Sequence, residues 1–353
     1  MSRTIFGNIR LAVRAERKNA DATLKRVSSL GLLDRSRKVL ERGSYVEIPV
    51  TNSVSGCEMI AQEKPDFYKK TPDLAEALQS ELSEADLDLL PRGWYIQGSV
   101  IVVKIHPEIS RHQYRIGQAL LDLYPRCCTV LRDYGIEGRF REPVRETIAG
   151  FKTETVHREN GVIFNLDARK VMFSAGNLKE RMRMSLFGKD EFVVDMFAGI
   201  GYFTLQMAVH SRPLKIMAIE LNPNAYQFLC QNIRENHVED IVEPILGDCA
   251  EVTPIGVADR VVMGMVRVTD KYLLKGIQAL RPGGILHYHQ TIPSVMHPAQ
   301  AVQDVTEAAK ILGRRAEILR CVRVKKYSPG MVHAVVDARI EGLLCLDGSE
   351  MEP

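Results

Sequence analysis

From Phe192 onward the chain alternates short apolar runs with helix-length amphipathic stretches: "FVVDMF", a helical stretch from Tyr202, "KIMAIEL", another from Pro223, "VEPILGD", "DRVVMGMV", a third from Asp270, and "GGILHYHQ". Apolar runs separated by helices are what parallel strands look like, because each crossover helix covers one face of the sheet and the strands are buried on both. A doubly wound α/β domain is therefore expected. A helix over residues 301–312 and the stretches "RAEILRCVRVKKY" and "MVHAVVDARI", separated by Ser328-Pro329-Gly330, are expected to close the sheet as an antiparallel pair.

The upstream half reads differently. Residues 1–72 combine a helical pattern, "ADATLKRVSSLGLLDRSRKVL", with the strand-like "IRLAVRA" and "SYVEIPVT", which suits a small α+β module. The Pro-marked "QEKPDFYKKTPD" reads as a linker, followed by a helix over 73–90 that Pro91 stops. A second α+β module spans 73–170, with the strand "YIQGSVIVVKI", a helix over 111–123, and the strands "CTVLRD", "TETVHRE" and "VIFNLDA"; the α/β domain takes 171–345. With 353 residues, 45% hydrophobic and 26% charged, the chain has the material for several cores and is neither fibrous nor disordered. It has no apolar run of about 18 residues, and charges interrupt its first 20, so a cytoplasmic protein away from membranes is expected. Seven scattered cysteines show no metal-ligand spacing and are read as reduced thiols, with no metal.

Net charge is only +3, but it is unevenly spread. Residues 91–190 hold 17 Lys plus Arg against 11 Asp plus Glu, with five arginines between Arg126 and Arg145. Such a cluster is either a solvated face or a surface for nucleic acid.

The sharpest motif is "VVDMFAGIGYFTLQMA". In a doubly wound sheet, ligands lie beyond the carboxyl ends of the strands, and a glycine turn there lets a ligand approach the backbone. Gly199 and Gly201 are assigned that clearance, with Asp195 and Phe197 in the same turn; Thr204 stands where a dinucleotide fingerprint has its third Gly. Glu220 ends the second strand, placed to accept from ribose hydroxyls, and Asp248 ends the third, placed for an adenine amino group with the Cys249 backbone beside it. A Gly turn followed by two strand-end acids fits S-adenosylmethionine. Taken singly, Asp195 or Asp248 would most often be a helix cap; the three features at successive strand ends argue against that.

"FVVDMFAGIGYFTL", "AIELNPNAYQFLCQNIRENHV", "GDCAEV", "ADRVVMGMV" and "LRPGGILHYHQ" resemble the catalytic domain shared by the tRNA (guanosine N1)-methyltransferases acting beside the anticodon and the wybutosine-pathway aminocarboxypropyltransferases. The resemblance extends over essentially the whole chain and implies a Rossmann-like class I S-adenosylmethionine-dependent transferase domain behind N-terminal α+β tRNA-binding modules. Two places favour aminocarboxypropyl transfer: Gly264-Met265-Val266 stands where the methyltransferases resemble Asn-Leu-Pro, and Phe173-Ser174-Ala175-Gly176-Asn177 where they resemble Phe-Ser-Pro-Arg-Leu. By resemblance, Ser174 and Arg181 contact the methionine part, Arg181 through a bidentate fork on its carboxylate; Glu180 and Arg141 are the catalytic candidates; and Gly264, Met265 and Val266 face the base, with Gly264 leaving room for it. Arg132, Arg139, Arg141, Arg145 and Arg158 are candidates for tRNA phosphates, and His287 and His289 are read as structural. A guanosine N1-methyltransferase and a non-catalytic tRNA-binding protein stay open as alternatives.

Overall fold

The computed structural model describes residues 10–67 and 73–343. They fall into one unit up to Asp73 and a second from Leu74. The linker reading falls partly on residues 68–72, and the expected end of the α/β domain at 345 also lies outside the described residues.

The first unit contains β1 (Leu11–Glu16), α1 (Ala20–Ser29), β2 (Leu40–Arg42), β3 (Tyr45–Pro49) and β4 (Glu58–Ala61) in an antiparallel sheet of order β2-β3-β1-β4. The cross-strand pairs Val13–Ile48 and Ala15–Val46 supply an apolar face, which Val27 of α1 covers.

The second unit opens with α2 (Leu74–Leu78) and α3 (Glu84–Asp88) where a single helix was expected. Ser83 caps α3 by accepting the Asp86 amide at 3.2 Å, so the acidic stretch restarts rather than continues. The expected strand "YIQGSVIVVKI" is a hairpin, β5 (Trp94–Gln97) and β6 (Val100–Val103), turning at Gly98 with φ +55°. After α4 (Gln113–Leu123), β7 (Thr129–Glu137) and β8 (Glu142–Gly150) complete a sheet of order β5-β6-β7-β8. A separate hairpin follows, β9 (Glu154–Glu159) with β10 (Val162–Asp167), and then α5 (Leu178–Met184).

The expected α/β alternation is present: β11 (Phe192–Asp195), α6 (Thr204–His210), β12 (Lys215–Glu220), α7 (Pro223–Glu235), β13 (Val242–Leu246), α8 (Cys249–Val252), β14 (Ala258–Met263), α9 (Leu273–Ala279), β15 (Leu280–Pro293), α10 (Ala299–Ile311), β16 (Arg314–Ser328) and β17 (Met331–Leu343). The seven strands run β13-β12-β11-β14-β15-β17-β16, parallel through β15, with β17 antiparallel to both its neighbours. Every residue of β14 is buried, as a strand covered on both faces must be. Chain order reverses beside β11, flanked by β12 and β14, and that reversal opens a crevice at the carboxyl ends.

Candidate functional site

At that crevice lies a cavity of about 710 Å³, in the range that holds a small ligand. Its walls are the strand ends of β11, β12 and β14, the turn between β7 and β8, the segment before α5, and Lys325, Tyr327 and His333 from the closing pair. Of the residues singled out in the sequence, Arg139, Arg141, Arg145, Ser174, Arg181, Phe197, Gly199, Glu220, Asp248, Cys249, Gly264, Met265 and Val266 line it; Glu180, Asp195 and Gly201 do not.

Asp195 is wholly buried and accepts from the Phe197 amide at 3.2 Å and the Thr204 hydroxyl at 2.8 Å, tying the turn to the start of α6. Burial pushes its carboxyl up to about 6, against the pull of these bonds. Gly199 has φ +60°, and a Cβ there would lie 2.2 Å from the Tyr202 ring. At Gly201, φ +102°, a Cβ would lie 2.6 Å from Leu205. Both glycines therefore make room for the chain's own side chains, and only Gly199 also borders the cavity; the ligand clearance expected of Gly201 is corrected accordingly.

Glu220 binds this turn to the next strand end, accepting the Gly199 amide through Oε2 and the Asn222 amide through Oε1, each at 2.7 Å. Burial raises its carboxyl above the usual range, and the backbone bonds oppose the rise. Asp248 caps α8 through the Ala250 amide at 2.9 Å, and its other oxygen accepts Arg139 Nη2 at 2.5 Å. Cap and strand-end acid are one residue. Arg139 comes from the β7–β8 turn, which is also held by Asn222 Nδ2 donating to the Phe140 carbonyl at 3.2 Å; Arg141 stands in the same turn with φ +53°. Burial pushes the Cys249 thiol up to about 12, which favours the protonated form at neutral pH.

Two further candidates are engaged by neighbouring side chains. The bidentate face of Arg181, 1% exposed, is taken by Glu159, with Nε–Oε1 2.5 Å and Nη2–Oε2 2.7 Å, while Nη1 donates to the Ser174 carbonyl at 2.7 Å. Burial pushes Glu159 up, but Arg181 outweighs it and holds the carboxyl at about 2. Glu180 points into a different network: Arg183 binds it at 2.6 and 3.0 Å and reaches Asp337 at 2.7 Å, and Asp337 accepts from His287 Nδ1 at 2.6 Å. Glu180 thus sits in a buried ion network and does not line the cavity. Among the arginines offered to RNA, Arg132 is buried on Gln113 and Ser110, and Arg145 on Asp133 and Tyr95; Arg158 is exposed.

The cavity also has features that sequence reasoning passed over. Asn177 lines it, and its buried Oδ1 has no hydrogen-bond partner among the described residues. Lys325 Nζ donates to Ser174 Oγ at 3.1 Å, and no acid among the described residues pairs with it; burial first, then Arg181, lowers its pKa. Phe203 packs against Gly264, where a Cβ would lie 2.6 Å from its ring. Lys325 sits in a strand rich in Lys and Arg, so no pattern marks it; Asn177 belongs to the segment before α5, and only burial reveals its orphan oxygen. An acid at the second strand end, an unpartnered acceptor and an uncompensated cation around a cavity of this size fit an adenosyl amino acid, and S-adenosylmethionine is one.

Residues 155–319 match the TRM5/TYW2 methyltransferase domain, residues 74–153 the TYW2 N-terminal domain and residues 12–58 the tRNA methyltransferase 5 N-terminal domain. The chain is 38% identical over 270 residues to the tRNA(Phe) (4-demethylwyosine(37)-C(7)) aminocarboxypropyltransferase of Pyrococcus horikoshii, covering 76% of this chain and 96% of that one. It is 30% identical over 339 residues to the tRNA (guanine(37)-N(1))-methyltransferase Trm5b of Pyrococcus abyssi, covering 94% and 99%. Among solved structures, P. horikoshii TYW2 in complex with MeSAdo aligns with a TM-score of 0.67 at 36% identity over 76% of this chain and 98% of that one. Trm5b from P. abyssi aligns with a TM-score of 0.70 at 30% identity, over 94% and 100%. By its domains, its sequence and its fold, the chain belongs to the TRM5/TYW2 family.

Proposed function

We propose that the chain transfers the 3-amino-3-carboxypropyl group of S-adenosylmethionine to the tricyclic guanosine-derived base at position 37 of tRNA(Phe), as its P. horikoshii relative is named for doing at C7 of 4-demethylwyosine. The observation that carries this over guanosine N1 methylation is the wall after β14. The methyltransferases resemble Asn-Leu-Pro there; here Gly264-Met265-Val266 offers no amide, and the Phe203 ring fills the space an Asn side chain would need. A base against Gly264 would meet the Phe203 ring as an aromatic wall.

When bound, S-adenosylmethionine supplies an electrophilic γ-carbon and leaves as methylthioadenosine. The chain's contribution is positioning. Glu220 keeps acceptor capacity for ribose hydroxyls beyond its two backbone bonds, Asp248 and the Cys249 amide border the adenine side, and the β7–β8 turn with Arg139 and Arg141 covers them. The substrate is a tRNA, bound with salt-dependent affinity through exposed cations such as Arg158.

The test is a double label. With one label on the methyl and another on the methionine α-carbon, and with tRNA carrying the tricyclic intermediate, the α-carbon label should enter tRNA and the methyl label should leave in methylthioadenosine. Methyl label in unmodified tRNA, with S-adenosylhomocysteine accumulating, would establish N1 methylation instead.

A further inference from the structure

Just past the wall residues Gly264, Met265 and Val266, the backbone of Arg267 has φ +85°. Side chains that tolerate left-handed backbone do so near about +50 to +70°, and Asn, Asp and His are the usual ones. Among the described residues six non-glycine positions have positive φ, and Arg267 has the largest value of them. A buried network holds it there. The Arg267 amide donates to Gln290 Oε1 at 3.1 Å, and Gln290, 6% exposed, is itself fixed by donating to Asp270 Oδ1 at 3.0 Å and to the Tyr288 hydroxyl at 3.2 Å. Thr269 Oγ1 ties the same loop to the Met265 carbonyl at 2.5 Å. Strain of this kind persists only where the surroundings over-determine it, so the question is what the strained residue presents.

It presents an unpaired cation. Arg139, Arg145 and Arg181 also stand at the cavity, and they are paired with Asp248, Asp133 and Glu159. Arg267 is exposed, and its guanidinium has no ion pair or hydrogen bond among the described residues; its one recorded contact is with the Tyr327 ring, whose centroid lies 5.8 Å away. Tyr327 lines the cavity, as do Val266 and Val268 on either side of Arg267. A ring contact occupies a face of the guanidinium and leaves its in-plane N–H donors free. Planar donors on a cation at the rim of a cavity suit phosphate oxygens. A solvated arginine needs no strained backbone, whereas a nucleotide whose base enters the cavity brings its own phosphates to that rim.

The geometry points to Arg267 as a phosphate clamp at the rim of the cavity, gripping the backbone of the nucleotide whose base enters it, with the strained loop over 264–269 serving to present the guanidinium. This rests on the tRNA reading of the substrate and adds the contact that positions the target nucleotide.

Filter binding across salt concentrations, with whole tRNA and with a short stem–loop cut around position 37, tests the assignment. Arg267→Gln should weaken both RNAs by about tenfold and reduce the slope of log affinity against log salt by about one, while S-adenosylmethionine affinity in calorimetry stays within about twofold. Arg267→Lys should recover part of the affinity and of the slope. Arg267→Gly suits the backbone, so it should lose RNA affinity as Gln does without lowering the midpoint of thermal unfolding, a split that a packing role would not give. An Arg267→Gln protein that binds both RNAs within about twofold of wild type overturns the assignment. So does a loss seen with whole tRNA and absent with the stem–loop, which puts the contact away from the target nucleotide. An Arg267→Gly protein that loses stability together with RNA affinity makes the residue a part of the loop's packing and overturns it as well. Failure of the tRNA reading itself is seen without any variant, in wild-type protein that binds neither RNA.

Discussion

Replacing Glu220 with Gln separates the residue's two tasks. Its carboxylate accepts two backbone amides at 2.7 Å, from Gly199 and Asn222, so it both shapes the glycine turn and borders the cavity. A Gln side chain keeps one acceptor oxygen and sets an NH₂ against the other amide. A hydrogen bond to a charged group contributes about 1.5–3 kcal/mol, so the loss of one such bond to a ribose hydroxyl should weaken S-adenosylmethionine by about 10- to 150-fold. The unliganded fold should suffer less, because the buried charge is itself costly. Burial raises the folded-state pKa above 4.5, so the wild type binds a proton more tightly folded than unfolded and loses stability as pH rises through that interval. The Gln variant should lack that slope. Glu220→Ala strands both amides and should cost about 2–6 kcal/mol of stability. Titration calorimetry with S-adenosylmethionine and with methylthioadenosine, paired with thermal unfolding of the free proteins, reads all of this. Both ligands should weaken together, since both carry the ribose. A Glu220→Gln protein that binds either as tightly as wild type refutes the placement.

Gly199→Ala must put a Cβ 2.2 Å from the Tyr202 ring at a left-handed φ of +60°, and should cost at least about 2 kcal/mol in denaturant unfolding together with most ligand affinity. Glu159→Gln leaves Arg181 buried without its anion and should destabilise by about 3–5 kcal/mol at pH 7. Because the folded pKa of Glu159 is depressed to about 2, the wild-type advantage should be present above 4.5 and shrink as pH falls toward 2, which urea unfolding at pH 7 and pH 3 would show. Gly264→Asn should displace Phe203, cost about 1–3 kcal/mol and give no methyl transfer to guanosine. A chain beginning at Leu74 retains every residue lining the cavity and should bind S-adenosylmethionine within about twofold of the full chain, while filter binding across salt concentrations should show weaker tRNA affinity; equal tRNA affinity would count against an RNA role for the first unit.

What the sequence made legible was local. The α/β alternation follows from burial on both faces, which forces apolar runs such as "FVVDMF" and "DRVVMGMV", and strand-end acids like Glu220 and Asp248 stand where those runs stop. Strand β8, "EPVRETIAG", hid because its pattern is inverted, with Val144 exposed and Arg145 buried, and an inward-facing arginine looks no different in sequence from a surface one. The partner of Arg181 was equally hidden. Glu159 is 22 residues upstream, at the tip of the β9–β10 hairpin, and only the folded hairpin brings it to the guanidinium. The single helix read over 73–90 failed for the opposite reason, a local one: Ser83 is a good cap in an otherwise helical stretch.

The local excess of positive charge is best understood by where each arginine goes. Arg132 and Arg145 are consumed inside the β5–β8 module, Arg139 is paired with Asp248 at the cavity, and Arg158 stands exposed. A charge count over 91–190 therefore overstates the surface available to phosphate. The same accounting separates two halves of the cavity. The side bordered by Glu220 and Asp248 is built from strand ends that any member of this fold needs for an adenosine, and its acids are satisfied by backbone amides and Arg139. The other side, from Ser174 to Asn177 with Lys325, Phe203 and Gly264, comes from the segment before α5, the turn after β11, the end of β14 and the antiparallel strand β16. The side chains of Ser174, Asn177, Lys325 and Phe203 can change without removing a bond from Glu220 or Asp248, because neither acid bonds to any of them. On the proposed function, the activated carbon that faces the base is set from the second half, which is how one scaffold can serve relatives that move different groups from the same molecule.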